Sequence, residues 1–126
     1  MPQLTDAAFD AIVEDVWGSI QERLPTDVRR AVQDVEIGIE DRAPEGTDPP
    51  GVLRLGQYVG ESLTTVVQRH RNVTTWPRSI LLFQKTIEQV SLGEESVLRA
   101  TIERVLLHEL GHALGLDHPA LAALGV

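Results

Sequence analysis

The sequence predicts a fold of the α+β class, with a long helix near each end and short strands between them. Three observations carry that expectation. Apolar residues recur at helical spacing over Thr5–Leu24, Val35, Ile37 and Ile39 alternate with polar or small residues, and a broad apolar arc at helical period runs from about Glu94 to Leu114. A length of 126 residues suits one domain with one core, spanning 1–126.

The opening helix is amphipathic. Phe9, Ile12, Val13, Val16, Trp17, Ile20 and Leu24 form its apolar stripe, Asp6, Asp10, Glu14 and Glu22 lie off it, and Thr5 or Asp6 can cap its start. Pro25 stops it, and Thr26–Gln33 extends it by one or two further turns. Val35–Ile39 has the period-two pattern of a half-buried strand. Asp41–Gly51 holds three prolines and two glycines and buries almost nothing, so it reads as a surface loop.

Val52–Val59 reads as a second strand interrupted by Gly56. Gly60–Thr75 has no clear period; Ser62–Val67 has extended character, and His70 lies in a basic, polar stretch read as a solvent-exposed loop. Trp76-Pro77 marks a turn into Ser79–Phe83, a continuous apolar run suited to a well-covered strand, and Gln84–Val90 suits a short helix. Ser91 and Glu94 have capping-box spacing at the head of the last helix, whose apolar arc comprises Val97, Leu98, Ile102, Val105, Leu106, Leu107, Leu110, Ala113 and Leu114.

Composition narrows the function classes. Eleven basic against 19 acidic residues give a formal charge of −8, a field that repels polyanions, so no nucleic-acid partner is expected. With no cysteine, a transition metal must be held by His, Asp or Glu. The N-terminus lacks a basic, apolar leader and no stretch approaches the ~18 apolar residues of a membrane span, which predicts a cytoplasmic protein without a membrane partner.

Three of the four histidines fall within eleven residues, His108-Glu109-Leu110-Gly111-His112-Ala113-Leu114-Gly115-Leu116-Asp117-His118. On a helix, His108 and His112 project about 40° apart and one turn apart, so both imidazoles reach a single ion at roughly 2.0–2.1 Å. Gly115 suits a left-handed helix stop, and Pro119 prevents the helix from resuming, which lets His118 swing back as a third ligand. Three neutral nitrogens leave a fourth position for water, the arrangement of catalytic rather than structural zinc. Glu109, nearer the apolar arc, has the place of a general base that takes a proton from that water. Five fixed positions would match by chance in roughly one in 10⁵ chains of this length. Asp117 reads as a turn residue or an acceptor orienting a ligand histidine, with direct ligation the alternative.

These residues resemble the minimal zincin-like metallopeptidases, small single-domain bacterial proteins predicted to be zinc peptidases. The resemblance takes in the opening helix ending at Leu24-Pro25, Val35–Ile39, Leu55-Gly56-Gln57-Tyr58-Val59-Gly60, Pro77 with Ile80-Leu81-Leu82-Phe83, and the H-E-x-x-H-x-x-G-x-x-H segment. It implies a small mixed sheet packed against the N-terminal helix and a C-terminal metal-binding helix. It also implies Zn2+ on His108 and His112, Glu109 as base, and a peptide or protein substrate. Many relatives carry an acidic residue where this chain has His118. The site therefore looks closer to the metzincin pattern, but the only methionine is Met1 and the metzincin Met-turn is missing. By family analogy, Ser79–Phe83 is the candidate strand for an extended substrate, in an open, shallow cleft. Tyr58 is either an oxyanion donor or a tyrosine packed at a strand end.

Two other classes share part of the pattern. His108, His112, Gly115, Asp117 and His118 also fit H-x-x-x-H-x-x-G-x-D-H, the pattern of small metal-dependent endoribonucleases of ribosomal RNA maturation. That pattern does not need Glu109, and an RNA enzyme should carry a basic surface. A non-catalytic zinc-binding interaction domain would present the same ligands.

Overall fold

A computed structural model of the chain describes residues 6–44, 46, 51, 53–60 and 78–115. In chain order these form α1 (Asp6–Arg23), α2 (Thr26–Ala31), β1 (Glu36–Glu40), β2 (Gly56–Val59), β3 (Ser79–Phe83), α3 (Gln84–Ser91) and α4 (Glu95–Ala113). The α+β class holds: a three-stranded mixed sheet is flanked by helices from both ends of the chain.

The stripe on α1 is buried as its spacing requires, with Phe9, Ile12, Val13, Val16 and Ile20 all in the core. Where α1 ends, Arg29 of α2 donates from its Nε to the Gln21 carbonyl (2.9 Å) and from a terminal nitrogen to that of Glu22 (3.2 Å). The Gln21 carbonyl also accepts the Leu24 amide at 3.3 Å, so the Arg29 side chain adds a second donor there and reaches the neighbouring carbonyl in the last turn as well.

The sheet order is β1-β3-β2, with β1 parallel and β2 antiparallel to β3. Register puts Ile37 beside Ile80 and Ile39 beside Leu82 on one side, and Tyr58 beside Ile80 and Gly56 beside Leu82 on the other. Those side chains share one face of the pleat, the face turned to the helices, where Ile80 and Leu82 are fully buried. A central strand covered in this way explains the continuous apolar run of Ser79–Phe83.

Arg78 anchors the start of β3. Its side chain is nearly buried, its Nε donates to Asp34 Oδ2 at 2.9 Å, and a terminal nitrogen bonds Asp34 Oδ1 and the Ala31 carbonyl. The backbone closes the same junction, since the Glu36 amide donates to the Arg78 carbonyl at 2.9 Å. The exit of α2 is thus clamped to the first residue before β3.

The structure corrects three local expectations. Ser91 does not cap α4; it is the last residue of α3, and its Oγ donates back to the Ile87 carbonyl at 2.7 Å. The chain turns through Leu92 (φ 53) and Gly93 (φ 75), and Glu94 holds the N-cap position of α4 without a side-chain cap bond. Gly56 begins β2 rather than interrupting it. Val97 is 44% exposed, and Thr101, with its hydroxyl bonded to the Val97 carbonyl, takes the buried place on α4. A hydroxyl satisfied within its own helix can be buried cheaply, a possibility that apolar periodicity does not register.

Candidate metal centre

The last turns of α4 carry the candidate residues. Leu98, Ile102, Val105, Leu106, Leu110 and Ala113 bury one side of the helix, fixing its rotation. That rotation leaves His108 and His112 at the margin of the buried face, with their ring centroids 4.8 Å apart and their planes at 83°. Gly115 has φ 93 and its amide donates to the His112 carbonyl at 2.9 Å, so the left-handed stop expected from the sequence is where the helix ends.

One potential ligand atom from each of His108, Glu109 and His112 lies within 4.8 Å of the others. Tetrahedral zinc with bonds of roughly 2.0–2.1 Å holds two nitrogens about 3.3 Å apart, and imidazoles one turn apart on a helix are spaced for a shared ion. Two imidazoles beside a carboxylate are a donor set suited to zinc. His118 and Asp117, the proposed third ligand and its neighbour, lie outside the described residues, as does His70.

Glu109 is held by the sheet. Its Oε1 accepts the main-chain N–H of Tyr58 at 2.8 Å, and its Oε2 lies 4.0 Å from His108 Nε2. With a side chain only 12% exposed, the carboxylate sits on the cleft wall with one oxygen anchored and the other on the side of His108. Sequence reasoning singled out Tyr58 for its phenol and missed its amide, which has no sequence signature. The phenol belongs to a different junction. The Tyr58 side chain packs on the core beside Arg78, and it favours the charged guanidinium after the larger contribution of Asp34.

The substrate strand expected at Ser79–Phe83 is corrected. β3 is bonded on both sides, to β1 and to β2, so its main-chain groups are not free for a third partner. Among the described residues, β2 is the edge of the sheet next to α4. The Phe83 amide donates to the Leu55 carbonyl at 2.9 Å, and antiparallel alternation then turns the amides and carbonyls of Gly56 and Tyr58 away from β3. The Tyr58–Glu109 bond lies on that outward edge.

Open clefts border the group among the described residues. One of ≈ 340 Å³ is lined by Leu55, Gly56, Arg104, Val105, His108 and Glu109. Another, of ≈ 380 Å³, shares His108 and Glu109 and adds His112, Tyr58, Gln57 and Arg54. No helix among the described residues is long and apolar enough to cross a membrane.

Comparison with known proteins agrees with this geometry. A sequence model described as zincin-like metallopeptidase matches residues 32–126, three quarters of the chain and the whole of the candidate centre. Among solved structures, a conserved hypothetical protein from T. thermophilus is similar at 28% identity and a TM-score of 0.56, over 94% of this chain and 98% of that one. No curated protein matches.

Proposed function

Because the chain belongs to the zincin-like metallopeptidase family, we propose that it hydrolyses peptide bonds of peptide or protein substrates, with His108, His112 and His118 holding zinc and Glu109 acting as general base. Zinc held by these residues supplies a Lewis acid for the scissile carbonyl and makes a water acidic enough to lose its proton near neutral pH. The remaining work falls to the chain itself. Glu109 Oε2, the oxygen on the side of His108, takes the proton of the attacking water and delivers it to the departing amine. The Tyr58 amide holds Oε1 and so fixes the direction in which the carboxylate faces. Among the described residues, the outward edge of β2 turns the Gly56 carbonyl toward the side where an extended substrate would add, the mode of strand addition.

The observation that carries this reading is the Tyr58–Glu109 bond of 2.8 Å, which sets a largely buried carboxylate beside two imidazoles. The ribonuclease pattern has no need of a glutamate at that position. The test is Glu109→Gln, which retains an acceptor for the Tyr58 amide. Zinc stoichiometry by metal analysis should match wild type, while cleavage of internally quenched peptides by the zinc-loaded protein should fall at least ~100-fold. Equal cleavage by wild type and variant would refute the reading.

A further inference from the structure

The cleft beside Glu109 and His108 has two unlike walls. Leu55, Gly56 and Val105 make an apolar floor, and Arg104 stands at its rim, exposed. Arg104 lies one helical turn before His108, on the same stripe of α4 as His108 and His112. The cleft volume of ≈ 340 Å³ falls within the range of sites that take small ligands or side chains.

The charge at the rim is uncommitted. Arg23 pairs with Glu103, Arg78 with Asp34 and Arg99 with Asp15, but Arg104 makes no ion pair among the described residues. Its helical neighbours at i±3 and i±4 are Ala100, Thr101, Leu107 and His108, none of them acidic, so α4 offers it no partner. Arg30 and Arg42 are likewise exposed and make no ion pair among the described residues, so what sets Arg104 apart is its place in the cleft beside the candidate centre. The other charge in this cleft, Glu109, has one oxygen taken by the Tyr58 amide and is mostly covered.

We propose that this cleft is a specificity subsite in which Arg104 receives a carboxylate of the substrate, its aliphatic stem lying on Leu55 and Val105; the proposal rests on the hydrolytic reading above. A guanidinium fork matches a carboxylate in two parallel N–H···O bonds. The carboxylate comes from an Asp or Glu side chain next to the cleaved bond or from the C-terminus of a short peptide.

The test uses the full chain and measures ratios. Internally quenched peptides carry Glu, Gln or Lys at each position within two residues of the scissile bond, each with a free or an amidated C-terminus. Binding of the same sequences, labelled with a fluorophore instead, is followed by anisotropy on zinc-loaded Glu109→Gln protein, which reads recognition without turnover. One set of carboxylate-bearing peptides should bind and be cleaved about tenfold better than its uncharged isosteres. A preference that follows Glu and ignores amidation assigns a side-chain subsite, and one that follows the free terminus assigns a carboxypeptidase-like subsite. Arg104→Gln should bring the ratio to about one, and Arg104→Glu should shift it toward Lys. No carboxylate preference in binding, a preference for Lys in wild type, or a preference that survives Arg104→Gln would overturn the proposal. If no peptide is cleaved but the binding preference and its loss in Arg104→Gln hold, the subsite stands and the peptidase reading falls.

Discussion

Gly56 of β2 and Val105 of α4 approach so closely that a Cβ on Gly56 would lie 2.6 Å from Val105 Cγ1, and also 2.9 Å from the Leu81 carbonyl oxygen. The Val105 methyl can turn aside, but the β3 main chain cannot. The absence of a side chain at residue 56 therefore sets how near the strand runs to the helix. Two residues on, that spacing lets the Tyr58 amide reach Glu109.

Gly56→Ala should accordingly lift β2 from α4. The expected cost is about 1–3 kcal/mol of folding stability, the usual range for overpacking, read as a lower urea midpoint. Peptide cleavage should fall by more than the loss of folded protein explains, because the Tyr58–Glu109 bond lengthens. A variant with normal stability and normal cleavage would contradict the close-approach argument.

Metal retention should separate the histidines by role. His108→Ala or His112→Ala removes an imidazole from the helical pair and should abolish stoichiometric zinc on metal analysis. His118→Ala should weaken zinc affinity by at least ~100-fold as measured by competition with a chromogenic chelator. Unchanged affinity in His118→Ala would point to a different third ligand, with Asp117 the first to substitute.

The Asp34–Arg78 pair makes stability depend on acidity. The guanidinium hydrogen bonds hold the Asp34 carboxyl below its ordinary value of 3.8, against the opposing effect of partial burial. A depressed folded-state pKa stabilises in full above the unfolded value and loses that contribution as pH falls through the folded value. Asp34→Asn should therefore cost about 1–2 kcal/mol at pH 7, less than a fully buried pair because half of the Asp34 side chain meets solvent. Urea midpoints of wild type and variant should converge below pH 3.8. A constant gap down to pH 3 would exclude the linkage.

Leu92 has a left-handed backbone at φ 53 and a side chain 80% exposed. Little burial offsets that strain, so Leu92→Gly should raise stability by about 0.5–1 kcal/mol, visible as a higher thermal midpoint. Destabilisation would show that the side chain makes a contact worth more than the strain.

The helical stripes, the alternating strand and the histidine spacing were legible in the chain because each is a local periodicity. Which residues share a helix face follows from rotation per residue alone. The amphipathic pattern of α1 and the left-handed stop at Gly115 appear where the spacing put them. Local pattern misled at Ser91, where a capping-box spacing spans the end of one helix and the start of another. It also gave no warning of Arg78, whose burial depends on Asp34 lying 44 residues away.

Sequence alone determined the chemistry available at the centre, since two imidazoles and a carboxylate on one helical turn are fixed by covalent order and pitch. Tertiary structure decided which of the described strands is central and which lie at the edges, and so ruled out Ser79–Phe83 as a strand free to pair with a substrate. It also decided that Glu109 is held by a main-chain amide and that Arg104 overlooks the adjoining cleft. Strand order and main-chain hydrogen bonds are made between segments far apart in sequence, through groups that every residue possesses, so no residue type announces them.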